Sequence, residues 1–437
     1  MKEMLKVRDL PIERLSPYAP NARKHTRQQI SQIAKSIQTF GFINPVLIDN
    51  KCVLIAGHGR VLAAQELGLS TIPTIQVEHL SEAEKRAYIL ADNKIAENAA
   101  WDEDLLRIEL SYLTEVEIDL DVEVTGFSTS EIDILLNTDV NPDTEEPPPP
   151  PPADPITREG DLWQLGLHRL LCGDCRDGSV IDQLMANKRA RMVITDPPYN
   201  VPIDGHTGGL GKIKHNNFAM ACGEMSAKEF NLFLSNSLKQ LARVSLDGAL
   251  HFVFMDWRHI TELLDAAKPI YQEQINLCVW NKTNGGMGSF YRSQHELIFV
   301  FKKGKAPHIN NVQLGQNGRY RTNIWIYPGV NSFGSERDEV LTLHPTVKPV
   351  QLIADAILDA SKRGDIVLDG FLGSGSTILA AEQTGRIGYG IEIDPCYVDV
   401  TLNRWITLTG ETPTLIADGR SFETVAADRH STDSCEV

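Results

Sequence analysis

Apolar residues in the first 98 positions switch between helical and extended spacing. A capping-box pattern at Thr26 begins one helical stretch, and Gly41 ends it. β-branched runs and glycine turns follow, and Ser81 begins a second capping box. The pattern predicts, in order, a helix from Thr26 to Gly41, a hairpin of Pro45–Asp49 and Cys52–Ala56, a helix from Gly57 to Gly68, a strand at Pro73–Val77 and a helix from Ser81 to about Asn98. This is the pattern of a small α/β domain.

The second half of the chain alternates buried strands with amphipathic helices. The predicted strands are Arg191–Thr195, Ala249–Met255, Ile275–Trp280, Glu296–Phe301, Asp365–Asp369 and Ile387–Ile393. The predicted helices are Ala227–Arg243, Ile260–Lys268, Pro349–Ser361 and Thr377–Thr384. Such alternation is typical of an α/β fold with a doubly wound, mostly parallel sheet.

A run of six prolines, Pro147–Pro152, separates the two halves. Consecutive prolines adopt the extended polyproline II helix, so the run indicates a semi-rigid linker. The predicted organisation is an N-terminal domain with a helical extension at 1–138, a proline-rich linker at 139–157, a second domain at 158–409 and an acidic tail at 410–437.

The net charge of −16 argues on its face against a polyanionic partner. The charge is unevenly distributed, however, because Glu296 is the one acidic residue among seven Lys and Arg in 281–335. A local basic surface is therefore compatible with nucleic acid. No apolar run is long enough to span a bilayer and no secretory signal is visible, so we expect a cytoplasmic protein without a membrane. The scattered cysteines and histidines predict neither a disulfide framework nor a bound metal.

A glycine-rich turn follows the predicted strand that ends at Asp369. The sequence from Gly370 to Gly375 reads Gly-Phe-Leu-Gly-Ser-Gly and leads into a helix. Such a turn brings backbone close to a ligand at a helix N-terminus. Glu392 ends the next strand, where a carboxylate can accept hydrogen bonds from ribose hydroxyls. The motif predicts an adenosyl-type cofactor, although a dinucleotide site or a structural turn has the same pattern.

A second motif, Asp196-Pro197-Pro198-Tyr199, comes directly after another apolar strand. Two prolines remove two N–H donors, so carbonyl and carboxylate acceptors dominate this turn, with the tyrosine ring beside them. This combination suits a planar amine such as the exocyclic NH₂ of a nucleobase. A rigid turn with a capping aspartate is the alternative.

Together the two motifs resemble the DNA amino-methyltransferases, in the motif order of their beta group. Leu170–Asp174 resembles the family's Gly-Asp strand end, and His344–Pro349 resembles its His-Pro-Thr-x-Lys-Pro segment. The resemblance implies a Rossmann-like sheet and S-adenosylmethionine as cofactor. It implies as catalytic residues Asp196, Pro197, Pro198 and Tyr199, and as cofactor-binding residues Asp174, Thr346, Lys348, Asp369, Phe371, Gly373, Ser374, Gly375 and Glu392. Gly370 departs from the proline usual at its position.

The activity implied by the resemblance is methyl transfer to N6 of an adenine flipped out of double-stranded DNA. Asp at position 196 is associated in the family with adenine, and N4 of cytosine is the alternative. An oxidoreductase, a catalytically inactive DNA-binding regulator and an RNA or protein methyltransferase are the competing classes. An oxidoreductase would leave the proline-rich motif without a role. An inactive regulator would leave Asp196 and the complete glycine loop without one.

Two segments between the motifs are expected to meet DNA. The glycine-rich stretch after the catalytic motif carries Lys212 and Lys214, and residues 283–340 are predicted to form the target-recognition region. In that region, Lys302, Lys303, Lys305, Arg319 and Arg321 are the expected phosphate contacts. A disordered surface loop is the alternative for the first segment, and a solvated charged insert is the alternative for the second.

Residues 8–80 resemble the ParB/sulfiredoxin-like domains. Gly57 and Arg60 match the outer positions of the ParB phosphate-contacting box, whereas His58 and Gly59 depart from it. The arrangement is similar to ParB–methyltransferase fusions of phages and mobile elements, which implies a role in host protection or restriction-modification. A DNA- or nucleotide-contacting role and a structural or partner-docking role both stay open, as does a homodimer.

Overall fold

The computed structural model of the chain describes residues 5–116, 121–136, 147–201, 223–283, 285, 290–315, 319–329 and 347–433. The chain divides into two compact units, 1–138 and 139–437. Within these described ranges, no helix has the length and hydrophobicity needed to cross a membrane.

Unit 1 is built on a four-stranded sheet in the order β1-β4-β2-β3. Its strands are β1 (Val7–Pro11), β2 (Val46–Ile48), β3 (Leu54–Ala56) and β4 (Thr71–Gln76). Its α-helices are Arg27–Phe40, His58–Glu66, Glu82–Glu97, Glu103–Glu115 and Thr129–Leu136.

Local signals set these boundaries. The Thr26 hydroxyl accepts a hydrogen bond from the Gln29 backbone N–H at 3.1 Å, and Gly41 ends the helix at a φ of +81°. Ser81 and Glu84 form the predicted capping box. The sequence misses β1, whose five residues carry a weak pattern because they form an exposed edge strand paired antiparallel with β4.

Unit 2 contains a ten-stranded sheet in the order β11-β9-β10-β8-β7-β12-β13-β6-β5-β14. The strands are β5 (Leu162–Leu165), β6 (His168–Cys172), β7 (Ala190–Thr195), β8 (Ser245–Met255), β9 (Glu273–Asn281), β10 (His295–Lys302), β11 (Ile324–Ile326), β12 (Ile366–Asp369), β13 (Ile387–Glu392) and β14 (Thr414–Leu415). The α-helices are Gly178–Met185, Ala227–Arg243, Ile260–Ala267, Val350–Ala360, Ser376–Thr384, Pro395–Thr409 and Phe422–Asp433.

Five neighbouring strands, β8-β7-β12-β13-β6, run parallel and form the centre of this sheet. Alternate residues of β7 pack on opposite faces, since Met192 and Ile194 join the core under the helix Val350–Ala360 while Val193 packs with Leu241 of the helix Ala227–Arg243. Helices therefore cover both faces, and the predicted doubly wound, mostly parallel α/β fold is confirmed. The short strands β5, β11 and β14 at the two sides of the sheet were not predicted, because strands of two to four residues carry too little pattern.

Candidate active site

Four carboxylates lie at the carboxyl ends of four neighbouring parallel strands. Asp196 follows β7, Asp369 ends β12, Glu392 ends β13 and Asp174 follows β6. Because parallel strands end at the same edge of a sheet, the two sequence motifs open at one edge although about 170 residues separate them.

Asp369 joins the two motif turns. Its Oδ1 accepts hydrogen bonds from the Thr195 hydroxyl at 2.8 Å and from the Phe371 N–H at 3.0 Å, and Thr377 donates to Oδ2 at 2.7 Å. Burial raises the pKa of Asp369 to about 6. Its contacts within the protein make Asp369 a brace that fixes the distance between β7 and the glycine loop.

The glycine loop has one closed side and one open side. Gly375 has a φ of +90°, and a Cβ there would lie 2.5 Å from Thr401. Gly373 also has positive φ, at +56°, but a Cβ there would meet no atom within 4 Å. The Ser374 carbonyl and hydroxyl turn towards Arg404, at 2.7 and 3.2 Å. The loop therefore has room for a ligand at Gly373 and is packed against the helix Pro395–Thr409 at Gly375.

We expect the two glycines to respond differently to alanine. Gly373→Ala should lower the free energy of unfolding by about 1–2 kcal/mol for its left-handed backbone alone. Gly375→Ala adds a steric clash with Thr401 and should cost a further ~1–3 kcal/mol. Urea denaturation of both variants measures the difference, and equal losses would contradict the packing described.

Glu392 and Asp174 border the glycine loop on neighbouring strands. One carboxylate oxygen of Glu392 accepts the Gly373 N–H at 2.7 Å, and the other accepts the Asp394 N–H at 2.9 Å. Burial raises the pKa of Glu392 to about 7. Asp174 is half-exposed and forms a bidentate pair with Arg176. Both carboxylates retain lone pairs for further donors.

Asp196 lies in a network of charged side chains. The Tyr199 hydroxyl lies 2.5 Å from its Oδ1, and the Lys348 ammonium contacts its Oδ2. Lys348 is also 3.1 Å from Glu296 of β10, which in turn pairs with Lys282 at 2.5 Å. Burial raises the pKa of Asp196, and Lys348 opposes that rise.

Aromatic side chains of both motifs share one hydrophobic cluster. Tyr199 and Phe371 pack against the same group of buried residues, and the Phe371 ring lies 5.8 Å from that of Phe233. Pro197 is buried and Pro198 is half-buried in the turn between Asp196 and Tyr199. The structure thus brings together both motifs, Asp174, Glu392 and Lys348, while Thr346 lies outside the described residues.

Glu296 and Lys282 are site residues that the sequence reasoning missed as functional. Both lie between the two motifs in sequence, more than 70 residues from either, and no motif includes them. The one available signal was that Glu296 is the single acidic residue in a basic segment. Isolated opposite charge in such a segment favours a buried ion pair.

The expected DNA-contacting residues are not gathered at this edge. Antiparallel pairing of β10 with β8 sets Lys302 opposite Leu250, so Lys302, Lys303 and Lys305 lie at the other edge of the sheet from Asp196. Their contact with DNA phosphates stays a prediction. The Arg319 and Arg321 guanidiniums form ion pairs with Asp355 and Asp359 of the helix Val350–Ala360, so their charge is used within the domain. Lys212 and Lys214 lie outside the described residues.

In unit 1, Gly57 caps the start of the helix His58–Glu66, and Arg60 lies in its first turn. Gly57 has a φ of +96°, and the Arg60 guanidinium donates to the backbone carbonyls of Asn44 and Pro45 at 2.5 and 3.0 Å. Arg60 therefore holds the start of its helix against the segment before β2. A phosphate would have to compete with these two carbonyls for it.

Comparisons with known proteins match three segments of the chain. Residues 1–94 match the ParB N-terminal domain, residues 104–159 the ParB-methyltransferase HTH domain, and residues 190–403 the family described as DNA methylase, of the N6/N4 class. The HTH match covers the last helices of unit 1, which the sequence predicts only as a helical extension.

Individual relatives resemble each part. YnaK of Escherichia coli (strain K12), a ParB-like nuclease domain-containing protein, is 48% identical over 86 residues, which are 20% of this chain and 99% of YnaK. The type II methyltransferase M.HpaI of Haemophilus parainfluenzae is 26% identical over 227 residues, 49% of this chain and 67% of M.HpaI. The solved M1.HpyAVI–SAM complex is 22% identical, covers 54% of this chain and 97% of its own, and has a TM-score of 0.40.

The family match confirms the S-adenosylmethionine cofactor and the DNA methylase activity that the motifs predicted. The chain joins an N-terminal ParB domain to a C-terminal domain of the N6/N4 DNA methylase family.

Proposed function

We propose that this chain transfers a methyl group from S-adenosylmethionine to N6 of an adenine flipped out of double-stranded DNA. One observation supports the site most strongly: the Asp196 turn and the glycine loop follow neighbouring parallel strands and are joined through Thr195 and Asp369. A nucleobase acceptor site and a cofactor site therefore adjoin in one domain.

The residues around the glycine loop fit the proposed cofactor. The open side of Gly373 leaves space for an adenosyl group, and Glu392 offers a carboxylate for its ribose hydroxyls. Asp174, on the next strand, can accept from the adenine amine. When bound, S-adenosylmethionine supplies an electrophilic methyl group on a sulfonium.

Asp196 and the Pro197 carbonyl are the groups that we expect to make the target amine nucleophilic. The lone pair of an aryl amine is delocalised into the ring, so the amine is a weak nucleophile. If the Asp196 carboxylate and the Pro197 carbonyl accept its two N–H bonds, the nitrogen becomes pyramidal and its lone pair is directed at the methyl group. Asp196 then takes up the proton that the methylated amine loses, since burial raises its pKa and favours proton uptake.

The identity of the base rests on Asp at position 196, which in this family is associated with adenine. The test is to express the chain in a host without DNA methyltransferases, digest the DNA to nucleosides and measure their masses. N6-methyladenine is the expected product. N4-methylcytosine would retain the methyltransferase and overturn the adenine assignment, and an unmethylated genome would overturn the proposal.

Trp257 is the aromatic side chain that we expect to support a flipped base or its unpaired partner. It follows β8, next to β7, at the same edge of the sheet as Asp196, and it is 51% exposed with Arg258 at 4.8 Å from its ring. Stacking of a base on an aromatic ring contributes roughly 1–3 kcal/mol, so Trp257→Ala should weaken DNA binding by about 5- to 100-fold.

A fluorescence-anisotropy titration with duplex DNA measures this effect. The matched control is Leu167→Ala, since Leu167 is an exposed apolar residue in the turn between β5 and β6, at the opposite edge. Equal DNA affinity of the Trp257 variant and the control would remove Trp257 from the DNA-binding surface.

A further inference from the structure

We propose that Glu296 and Lys348 are positioning residues of the methyl-transfer reaction: Lys348 keeps Asp196 ionised, and Glu296 shares the Lys348 ammonium, so that Asp196 keeps acceptor capacity for the target amine. This inference rests on the proposed function. It assigns Lys348 to the nucleobase side of the site, whereas the sequence motif places it with the cofactor.

The side chains form a closed ring of contacts. Lys348 bridges Asp196 and Glu296, and the Tyr199 hydroxyl lies 2.5 Å from Oδ1 of Asp196 and 3.0 Å from Oε2 of Glu296. Lys282 pairs with the other oxygen of Glu296 at 2.5 Å. Two carboxylates and two ammoniums face one another around a tyrosine whose single hydroxyl proton is shared between both carboxylates.

Lys348 and Glu296 at the centre of this ring are buried, so their charges are weakly screened, whereas Asp196 and Lys282 are partly exposed. Lys348 is 6% exposed and Glu296 is 9% exposed. The rings of Tyr199, Phe254 and Trp280 lie 5.2 to 5.9 Å from the Lys348 ammonium and leave it little water. A buried charge without a partner is strongly unfavourable, so each member restrains the others.

Glu296 limits how strongly Lys348 binds Asp196. With a single carboxylate in reach, a buried ammonium would use all its donors on that group. Burial alone would raise the pKa of Glu296, but Lys348 and Lys282 hold it at about 2, so it is ionised at every working pH and always competes for Lys348. Each Asp196 oxygen then makes one strong contact and keeps a lone pair for the amine.

The ring is also tied to the cofactor side. The backbone carbonyl of Lys348 accepts a hydrogen bond from the Ser376 hydroxyl at 2.8 Å, at the first residue of the helix that follows the glycine loop. The backbone of one residue thus braces the glycine loop while its side chain positions Asp196. Lys348 is therefore connected to both motifs, to the glycine loop through its backbone and to Asp196 through its side chain, and neither connection requires contact with the cofactor.

The two positioning residues should act on Asp196 with opposite signs. Three side chains face Asp196: Lys348, which lies in the segment before Val350–Ala360, Glu296 of β10, and Tyr199 of the same turn. Asp369 of β12 is a further negative charge near Asp196, and the Thr195 hydroxyl hydrogen-bonds to it. Lys282 affects Asp196 indirectly, because it forms an ion pair with Glu296. Burial raises the pKa of Asp196 most, Lys348 lowers it and Glu296 raises it. Methyl transfer needs ionised Asp196, so the rate falls as the pH drops through this pKa.

The test is the pH profile of the single-turnover rate, with radiolabelled S-adenosylmethionine and plasmid DNA from a host without methyltransferases. Lys348→Met should move the acidic limb to higher pH by one unit or more, and Glu296→Gln should move it to lower pH. Glu273→Gln is the matched control, because it removes an exposed carboxylate from β9 at the opposite edge. Its profile should equal that of the wild type.

Opposite shifts of the acidic limb distinguish a positioning role from a general loss of structure. A general loss of structure would move the limb in the same direction, or lower the rate, in both variants. Equilibrium binding of S-adenosylmethionine to Lys348→Met should stay within about twofold of the wild type. A tenfold loss there would return Lys348 to the cofactor site, and shifts of the same sign, or none, would overturn the inference.

Folding of the single variants is a foreseeable difficulty, since each leaves one buried charge unpaired. The double variant Lys348→Met/Glu296→Gln removes one charge of each sign, and its acidic limb should lie between those of the wild type and Lys348→Met, because Lys348 shifts the pKa of Asp196 more than Glu296 does. A double variant that folds and keeps the wild-type profile contradicts the inference by itself. A wild-type protein that methylates no DNA contradicts the proposed function, and the inference falls with it.

Discussion

Replacement of Asp196 by asparagine is expected to lower the rate of methyl transfer by about 10²- to 10⁴-fold while S-adenosylmethionine still binds. Asparagine keeps the shape of the side chain but exchanges one acceptor oxygen for an NH₂ donor, which opposes the amine of the target base. It also cannot take up the proton that the amine releases. The neighbouring Lys348 ammonium loses its ionised partner at the same time.

Single-turnover methylation assays and calorimetric cofactor titrations test this prediction together. Asp265→Asn is the matched control, because Asp265 is an exposed carboxylate on the helix Ile260–Ala267, away from the motif turns in sequence and unlinked to them by hydrogen bonds among the described contacts. Its rate should equal that of the wild type. A fully active Asp196→Asn enzyme would remove the carboxylate from the mechanism.

Glu392→Gln is expected to weaken S-adenosylmethionine binding by about 10- to 100-fold, because hydrogen bonds to a charged group are worth roughly 1.5–3 kcal/mol. The wild-type affinity should also depend on pH. Burial raises the pKa of Glu392 to about 7, so the group is protonated below neutrality and accepts ribose hydroxyls poorly. Ligand binding to the ionised form means that affinity rises with pH up to about 7 and then levels off.

Calorimetric titrations between pH 5.5 and pH 8.5 measure both effects (about 1.5 units on either side of that pKa). Glu392→Gln serves as its own control for pH, since its affinity should show only the dependence that the ligand itself contributes. A wild-type affinity that runs parallel to that of Glu392→Gln across this range would show that Glu392 does not titrate with binding.

Much of the fold could be predicted from the sequence, because its elements are long and strongly patterned. The helix Ala227–Arg243 begins and ends where its apolar periodicity predicts. The central strands of unit 2 are continuous apolar runs, as strands buried on both faces must be. The edge strands β11 and β14 were missed because tertiary pairing, rather than local pattern, makes such short segments extended.

The interpretation of the basic segment shows the limit of sequence reasoning. A count of charges in 281–335 indicates a DNA-binding face, but strand direction decides where each charge lies. β10 runs antiparallel to β8, which sends Glu296 to the cleft and Lys302 to the far edge. Arg319 and Arg321 then meet carboxylates of a helix some 35 residues later, a pairing that no local pattern encodes.

The sequence by itself determined the two motifs, their order and the chemistry of their side chains, because glycines, prolines and carboxylates act through local backbone geometry and functional groups. Only the tertiary structure decided which other charges join Asp196. Lys348 contacts Asp196, Glu296 contacts Lys348, and Lys282 contacts Glu296, each from a separate segment of the chain. These contacts depend on strand order and register, which arise when distant parts of the chain share one core.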